Sequence, residues 1–352
     1  MIRRLSLVAT LVFGLLGLVP GIASAAPACG DTIMHNTTLH ADLDCTALTS
    51  GTGLTFGKPG LVLDLNGHTI LGHVGVDTAT GVYTDMNNDT IENGTIQNFG
   101  AYQIDVYEAN HTVVTHVHLI GDGSNSSEGI YTEYGGADVY RHITSDMNYY
   151  GLDFYGSGGN LVSHNKITNA YYGVYTEYET ADRFVKNVSV GNQYGFYDDY
   201  GNRVLWRANT ANANFDGLYI DCDSYGPARI IGNVANQNSD DGIYAYECFW
   251  DVGSSAEATL IKGNLANSNG SYGIDAEDPF AYSIIGNTTN KNSDTGLYIE
   301  DNYGYYQVNN VANNTANNNS YYGIYADYFV PFSSGNSAGG NPTQNCFNIV
   351  CS

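Results

Sequence analysis

Tyrosine and carboxylate side chains recur at two fixed places along most of this 352-residue chain. Between Tyr171 and Gly201, Tyr-Gly-Val-Tyr-Thr-Glu-Tyr returns 22 residues later as Tyr-Gly-Phe-Tyr-Asp-Asp-Tyr. The paired positions run from Tyr83/Asp85 through Asp153/Tyr155, Tyr175/Glu177, Tyr197/Asp199, Tyr219/Asp221 and Tyr244/Tyr246 to Tyr325/Asp327. All 22 such positions are tyrosine or a carboxylate; none is Lys, Arg, Ser or Thr. Tyrosine offers flat apolar faces and a hydroxyl, and carboxylates accept hydrogen bonds from sugar hydroxyls. Tyr175, Tyr197, Tyr219 and Tyr244, with Tyr155 and Asp153 one repeat earlier, form a candidate track for an extended polysaccharide. Glu177, Asp199 and Asp221 fall in consecutive repeats without a basic partner. Like charges one strand apart repel, so these acids must either raise their pKa values or recruit a cation. Calcium, which takes several oxygen ligands, is the expected ion. An acidic polymer would need it as a bridge; a neutral or amino sugar polymer would not. The alternative is a soluble sheet face in which tyrosines support one another and acids prevent sheets from sticking together.

The elements that must carry these residues follow from the same repeat. Coil anchors fall at Gly81, Gln103, Gly129, Gly151, Gly173, Gly195, Gly217, Gly242, Gly273, Gly296 and Gly323. The common step is 22 residues, and the longer steps read as insertions in turns. After each anchor comes an apolar residue, such as Val174, Phe196 and Leu218, and the residue two further on shares its face. Alternation with β-branched and aromatic residues predicts a strand. One short strand per repeat cannot bury itself, whereas stacked coils of parallel strands can. The expected fold class is therefore all-β, a parallel solenoid with roughly 22-residue coils. In such a solenoid the outward pairs form a stripe about 48 Å long at about 4.8 Å per rung. Asparagines recur between the strands, as in "KNVSVGN" and "IIGNVANQN", and predict ladders of stacked amides. The sequons at Asn187 and Asn287 read as by-products of that ladder. Alternation points Asp198 inward, which requires either a bulge or a buried partner.

Residues 1–25 have a signal peptide's form: Arg3 and Arg4, an apolar run, then Ala-Ser-Ala. Its removal takes two arginines and no acid, moving the net charge from −24 to −26. The mature chain is expected to be secreted, without a membrane span, and too acidic for a nucleic-acid partner. Six cysteines in an exported chain suggest disulfides, for which 15 pairings exist. Proximity favours Cys29–Cys45, Cys222–Cys248 and Cys346–Cys351. The domain reading is a signal peptide at 1–25, an N-terminal cap and first coils at 26–72, repeats at 73–330 and a C-terminal cap or tail at 331–352.

The segment from Cys29 to Gly72, with "LDLNGHTI" at Leu63 to Ile70, together with the coil repeat resembles the secreted right-handed parallel β-helix proteins of the pectate-lyase-like superfamily. The resemblance spans about residues 29 to 330 and implies the right-handed fold. It implies a polysaccharide lyase or uronan epimerase as the enzymatic alternative to a binding protein. The Gly-His-Gly and Arg-Ile-Lys motifs of polygalacturonases are missing, and the stripe has no basic residue to serve as a pectate-lyase base. "YGLDFYG" at Tyr150 to Gly156 keeps the Tyr-Gly-x-Asp of alginate epimerases without their Pro-His. A third class is an adhesive or structural cell-surface protein. His116, His142, His164 and Lys186 each lie 13 residues after an anchor and form a second column, readable as solvated polar residues or a weak metal site.

Overall fold

The computed structural model describes residues 26–223, 226–248, 258–279, 281–302 and 310–351. The expected signal peptide lies outside the described residues. Among them every regular element is a strand and none is a helix. A 14-stranded parallel sheet takes one strand from each coil. The predicted inward residues pair rung by rung: Leu152 with Val174, Val174 with Phe196, Phe196 with Leu218, and onward to Ile324.

One coil illustrates the design. Strand Tyr172–Glu177 belongs to the long sheet, and strands Arg183–Val185 and Val188–Val190 follow it on the far side. Left-handed residues make the corners: Tyr178 and Ala181 leave the long sheet, and Lys186 divides the two short strands. The Lys186 corner is His116, His142 and His164 in earlier coils, Ala208 in the next, and Gly232, Gly263 and Gly286 beyond, all at positive φ. Glycine meets that demand without a Cβ, and asparagine meets it at modest cost.

The interior is closed by Val174, Phe196 and Leu218 on one wall and Phe184, Trp206 and Ile230 on another, all fully buried. Phe184 stacks on Trp206 at 4.1 Å and 11°. Beside this apolar column run two asparagine ladders. Asn187, Asn209, Asn233 and Asn264 form one; each amide donates to a carbonyl of the preceding coil and to the next asparagine, as in Asn209 to Phe184 O at 2.9 Å and to Asn233 Oδ1 at 3.1 Å. Asn214, Asn238, Asn269 and Asn292 belong to the other. The ladder asparagines follow the left-handed corner rather than occupying it, so it is their amides and not their backbone tolerance that recurs. Asn187 and Asn287 are among them, buried with their amides committed.

The disulfides pair as expected: Cys29–Cys45, Cys222–Cys248 and Cys346–Cys351. Cys222 and Cys248 lie on neighbouring coils with Cα atoms 4.7 Å apart. Residues 331–351 continue the coils, with Gln344–Phe347 pairing against Tyr322–Ala326.

Candidate functional site: the outer face of the long sheet

The outward residues line up as their spacing requires. One column runs Tyr83, Asp105, Tyr131, Asp153, Tyr175, Tyr197, Tyr219, Tyr244, Asp275, Tyr298 and Tyr325, each in register with the next. Beside it Tyr155, Glu177, Asp199, Asp221 and Tyr246 are likewise consecutive partners. The structure thus brings all nine stripe residues singled out from the sequence onto one face.

It also adds a third column that alternation alone does not find: Tyr102, Glu128, Tyr150, Tyr172, Tyr194 and Asp216. These residues precede the anchor glycine. In Tyr172–Glu177, Gly173 and Val174 are both buried while Tyr172 is turned out, so the two-residue period slips there. A Cβ on Gly173 would collide with Ser189 Oγ and the Gly195 carbonyl oxygen, so only glycine lets the coils close at this point. A tyrosine directly before Gly151, Gly173 and Gly195 was the available signal.

The tyrosines stack on one another along the solenoid axis. Tyr175 and Tyr197 lie 5.4 Å apart at 18°, Tyr197 and Tyr219 4.7 Å at 4°, and Tyr219 and Tyr244 4.6 Å at 25°. Tyr150, Tyr172 and Tyr194 form a parallel pile at 5.0 and 5.2 Å. Ring faces within a pile are therefore spent on neighbouring rings, and what the pile presents outward is ring edges and hydroxyls. Some hydroxyls already donate to the acid column: Tyr175 to Glu177 at 3.1 Å and Tyr244 to Glu277 at 2.6 Å. Beside the platform, around Tyr149 and Tyr171, lies a groove of about 780 Å³ with Gly123, Ser124 and Asn125 as one wall.

The carboxylates respond to their crowding. Burial, then Glu177, pushes Asp199 up to about 6, and burial, then Asp199, pushes Asp221 up to about 7. Asp105 is raised to about 7, by burial first and by Glu133 second. Glu128 and Asp153 are both held well above the carboxylate range, chiefly by burial, and hydrogen-bond each other, so the pair retains a proton at neutral pH. Asp153 is only 7% exposed. Among the described residues no three His, Cys, Asp or Glu side chains gather in a group that could hold a metal ion. Glu177, Asp199 and Asp221 form a row, not a cage.

Asp198 points inward without a bulge and is fully buried. It accepts hydrogen bonds from Thr176 Oγ1 at 2.7 Å and Trp206 Nε1 at 3.1 Å, and burial raises it to about 7. The histidine column is exposed on the opposite bend, with His116 on His142 at 4.8 Å and His142 on His164 at 5.3 Å. Its stacking follows from the corner geometry, and the column shares no surface with the tyrosines.

The profile of the right-handed β-helix region matches residues 80–249 and 128–289. No curated protein matches the chain. Among solved structures, the chain is similar to a periplasmic alginate epimerase, AlgG, at 13% identity and a TM-score of 0.59, covering 88% of this chain and 77% of that one. It is also similar to the A-module of an Azotobacter vinelandii mannuronan C-5 epimerase (12% identity, TM-score 0.38, covering 91% and 87%). A third is the catalytic domain of a GH87 α-1,3-glucanase in complex with tetrasaccharides (12%, 0.41, covering 92% and 63%). At 13% identity the likeness to AlgG speaks to the fold alone.

Proposed function

Because the chain belongs to the right-handed β-helix family, whose coils repeat one face many times over, we propose that it binds an extended polysaccharide along the outer face of its long sheet. The observation that carries this reading is the composition of that face: consecutive rungs present only tyrosine and carboxylate, in register, on both the Tyr175 and the Glu177 column. A linear polymer lying along the axis meets the same hydroxyls and carboxylates at every rung. The stacked rings hold those groups stiffly, which lowers the ordering cost of binding. Tyr155, Asp153, Tyr175, Tyr197, Tyr219 and Tyr244 are the contact residues. Calcium at Glu177, Asp199 and Asp221 belongs to this proposal as an ion shared with sugar hydroxyls, since the row does not enclose a cation by itself. The glycan-related proteins among the structural likenesses are in keeping with a carbohydrate partner. Three disulfides support an oxidising compartment, hence secretion.

The enzymatic reading, a lyase or epimerase, is favoured by one observation. Asp153, in the Tyr150-Gly-Leu-Asp153 phrase, shares a proton with Glu128 on the platform itself. One experiment separates the readings. The full chain is screened against a glycan panel with and without chelator, and the absorbance of unsaturated products is read in the same wells. Binding without product, weakened several-fold by Tyr197→Ala, supports the platform. Product formation abolished by Asp153→Asn supports the enzyme. A panel on which no glycan responds removes both.

A further inference from the structure

Charge is sorted between two walls of the solenoid. Phe196 and Trp206 meet at 5.6 Å across the core, so the long sheet and the strands behind it turn their outer faces away from each other. The columns of the long sheet hold tyrosines and acids and no lysine or arginine. The face behind reverses this. Seven consecutive coils contribute Val139–Arg141, Leu161–Ser163, Arg183–Val185, Leu205–Arg207, Arg229–Ile231, Leu260–Lys262 and Ser283–Ile285. The middle residue of each is buried, and the first and third form two columns that pair in register from coil to coil.

None of these fourteen positions is an acid, in a chain with 36 of them. Five are basic: Arg141, Arg183, Arg207, Arg229 and Lys262. With Arg3 and Arg4 set aside the chain has ten lysines and arginines, so half of them stand on this one strip. A surface built for solubility alone intersperses the two signs. All five side chains are exposed, and none forms an ion pair with a described residue. The strip is bounded toward the N-terminus by Glu92, two rungs before Arg141. Arg183, Arg207, Arg229 and Lys262 come one each from four consecutive coils and alternate between the two columns. A positive charge therefore recurs about every 4.8 Å along the axis, on alternate sides of the strip. Between the cations Leu205, Ile231 and Leu260 lie half-buried.

The dimensions select the occupant. Strands of three residues make the strip about 10 Å wide, and seven of them make it about 29 Å long. That area, of order 300 Å², is well under the roughly 800 Å² per partner of a stable protein interface. A single extended chain fits it. We infer that this face is a second polymer site, for a linear acidic polysaccharide carrying an anionic group on each sugar. Such a polymer offers charge at a regular interval and, in a two-fold conformation, on alternate sides, as the cations do. Each guanidinium takes a carboxylate or sulfate through paired N–H donors. The aliphatic side chains between them meet the C–H faces of the sugars. The protein supplies the cations here, so calcium has no part in this site. The inference goes beyond the platform reading and does not rest on it. With both faces occupied, one molecule ties two polymers together.

The test is calorimetric titration of the full chain, in chelator, with four probes: oligogalacturonate, its methyl-esterified counterpart, sulfated dextran and plain dextran. The acidic member of each pair should bind about tenfold or more tighter than the neutral one, as charge-assisted hydrogen bonds require. That binding should weaken several-fold as salt is raised. Arg183→Gln, Arg207→Gln, Arg229→Gln and Lys262→Gln together should abolish it. Arg207→Gln alone should weaken it several-fold, whereas Lys58→Gln, an equal loss of charge in an early coil, should not. The altered side chains are exposed, so melting curves should stay with the wild type; if the fourfold variant does not fold, the two single variants decide. Acidic binding that survives the fourfold change, requires calcium or disappears with Asp199→Asn overturns the inference. So does equal binding of acidic and neutral forms, or binding of neither, and both of these leave the platform untouched. Arginine-dependent binding to anionic lipid vesicles without binding to either acidic polymer replaces the polymer with a membrane. Arginine-dependent self-association in sedimentation without polymer binding replaces it with a second copy. Either result overturns the inference.

Discussion

Replacing Asp198 by asparagine should make the protein more stable, and increasingly so as pH rises. The carboxyl is fully buried between Thr176 and Trp206, and its pKa rises from 3.8 to about 7, mainly through burial. A raised carboxyl pKa means that the folded state holds the proton more tightly than the unfolded chain. The stability this contributes is fully present below about pH 4 and is lost as pH climbs through 7. At about 1.4 kcal/mol per pKa unit, the loss is about 4 kcal/mol by pH 8. Asparagine keeps the geometry. Its carbonyl can accept from Trp206 Nε1, and its amide can donate to Thr176 Oγ1, whose own hydroxyl reaches the Tyr197 carbonyl at 3.4 Å. The assay is urea unfolding of both proteins by fluorescence across the range from about pH 4 to pH 8. The difference in midpoint should be small at the acid end and should widen toward neutrality, with the variant the more stable. Parallel curves at all pH values would refute the reasoning, because Asp198 would then ionise in the folded state as easily as in the unfolded one.

Wild-type stability itself should fall from about pH 4 to pH 8, since Asp105, Asp221 and Asp241 are also raised to about 7 by burial; a rising melting curve over that range would count against it. Asn209→Ala removes two donated hydrogen bonds and the acceptor for Asn187, so a loss of about 2–4 kcal/mol is expected by denaturant titration. Gly173→Ala should cost more than the small penalty of an ordinary strand substitution because its Cβ meets backbone, and a variant with an unchanged melting temperature would contradict the packing described. Mass mapping of the unreduced protein should recover three linked peptide pairs, 29–45, 222–248 and 346–351. Millimolar calcium should raise the melting temperature more in the presence of a bound glycan than alone, and Asp199→Asn should remove most of that increment.

Much of the solenoid is legible in the sequence because one short strand, repeated at a near-constant step, has only one way to bury itself. Val174, Phe196 and Leu218 had to stack, and Cys222 and Cys248 had to fall one rung apart. Alternation also pointed Asp198 inward correctly; its partners, Thr176 and Trp206, come from different strands and carry no local signal. The column of Tyr102, Glu128, Tyr150, Tyr172 and Tyr194 escaped because the strand slips its period at the anchor glycine, a collision set by the coil above rather than by neighbours in sequence. Spacing likewise assigns a tyrosine to a column but says nothing about its ring plane. That the rings lie on one another emerges only with side-chain geometry.

The amide ladders make this molecule a ruler with removable graduations. In the ladder through Asn165 and Asn187 the side chains bond to the coil before and the coil after, so the Lys186–Asn187 corner has the same surroundings as the His164–Asn165 corner one coil earlier. Excising one whole 22-residue coil, for example residues 173–194, joins two surfaces that already match in register. Such a cut shortens the platform by one graduation while leaving its pitch untouched. The number of coils and the length of polymer that can be measured against them are then a single quantity, adjustable by duplication or loss of one coil, with redesign confined to contacts that cross the cut, such as Thr176 with Asp198 and Ser157 with Glu179.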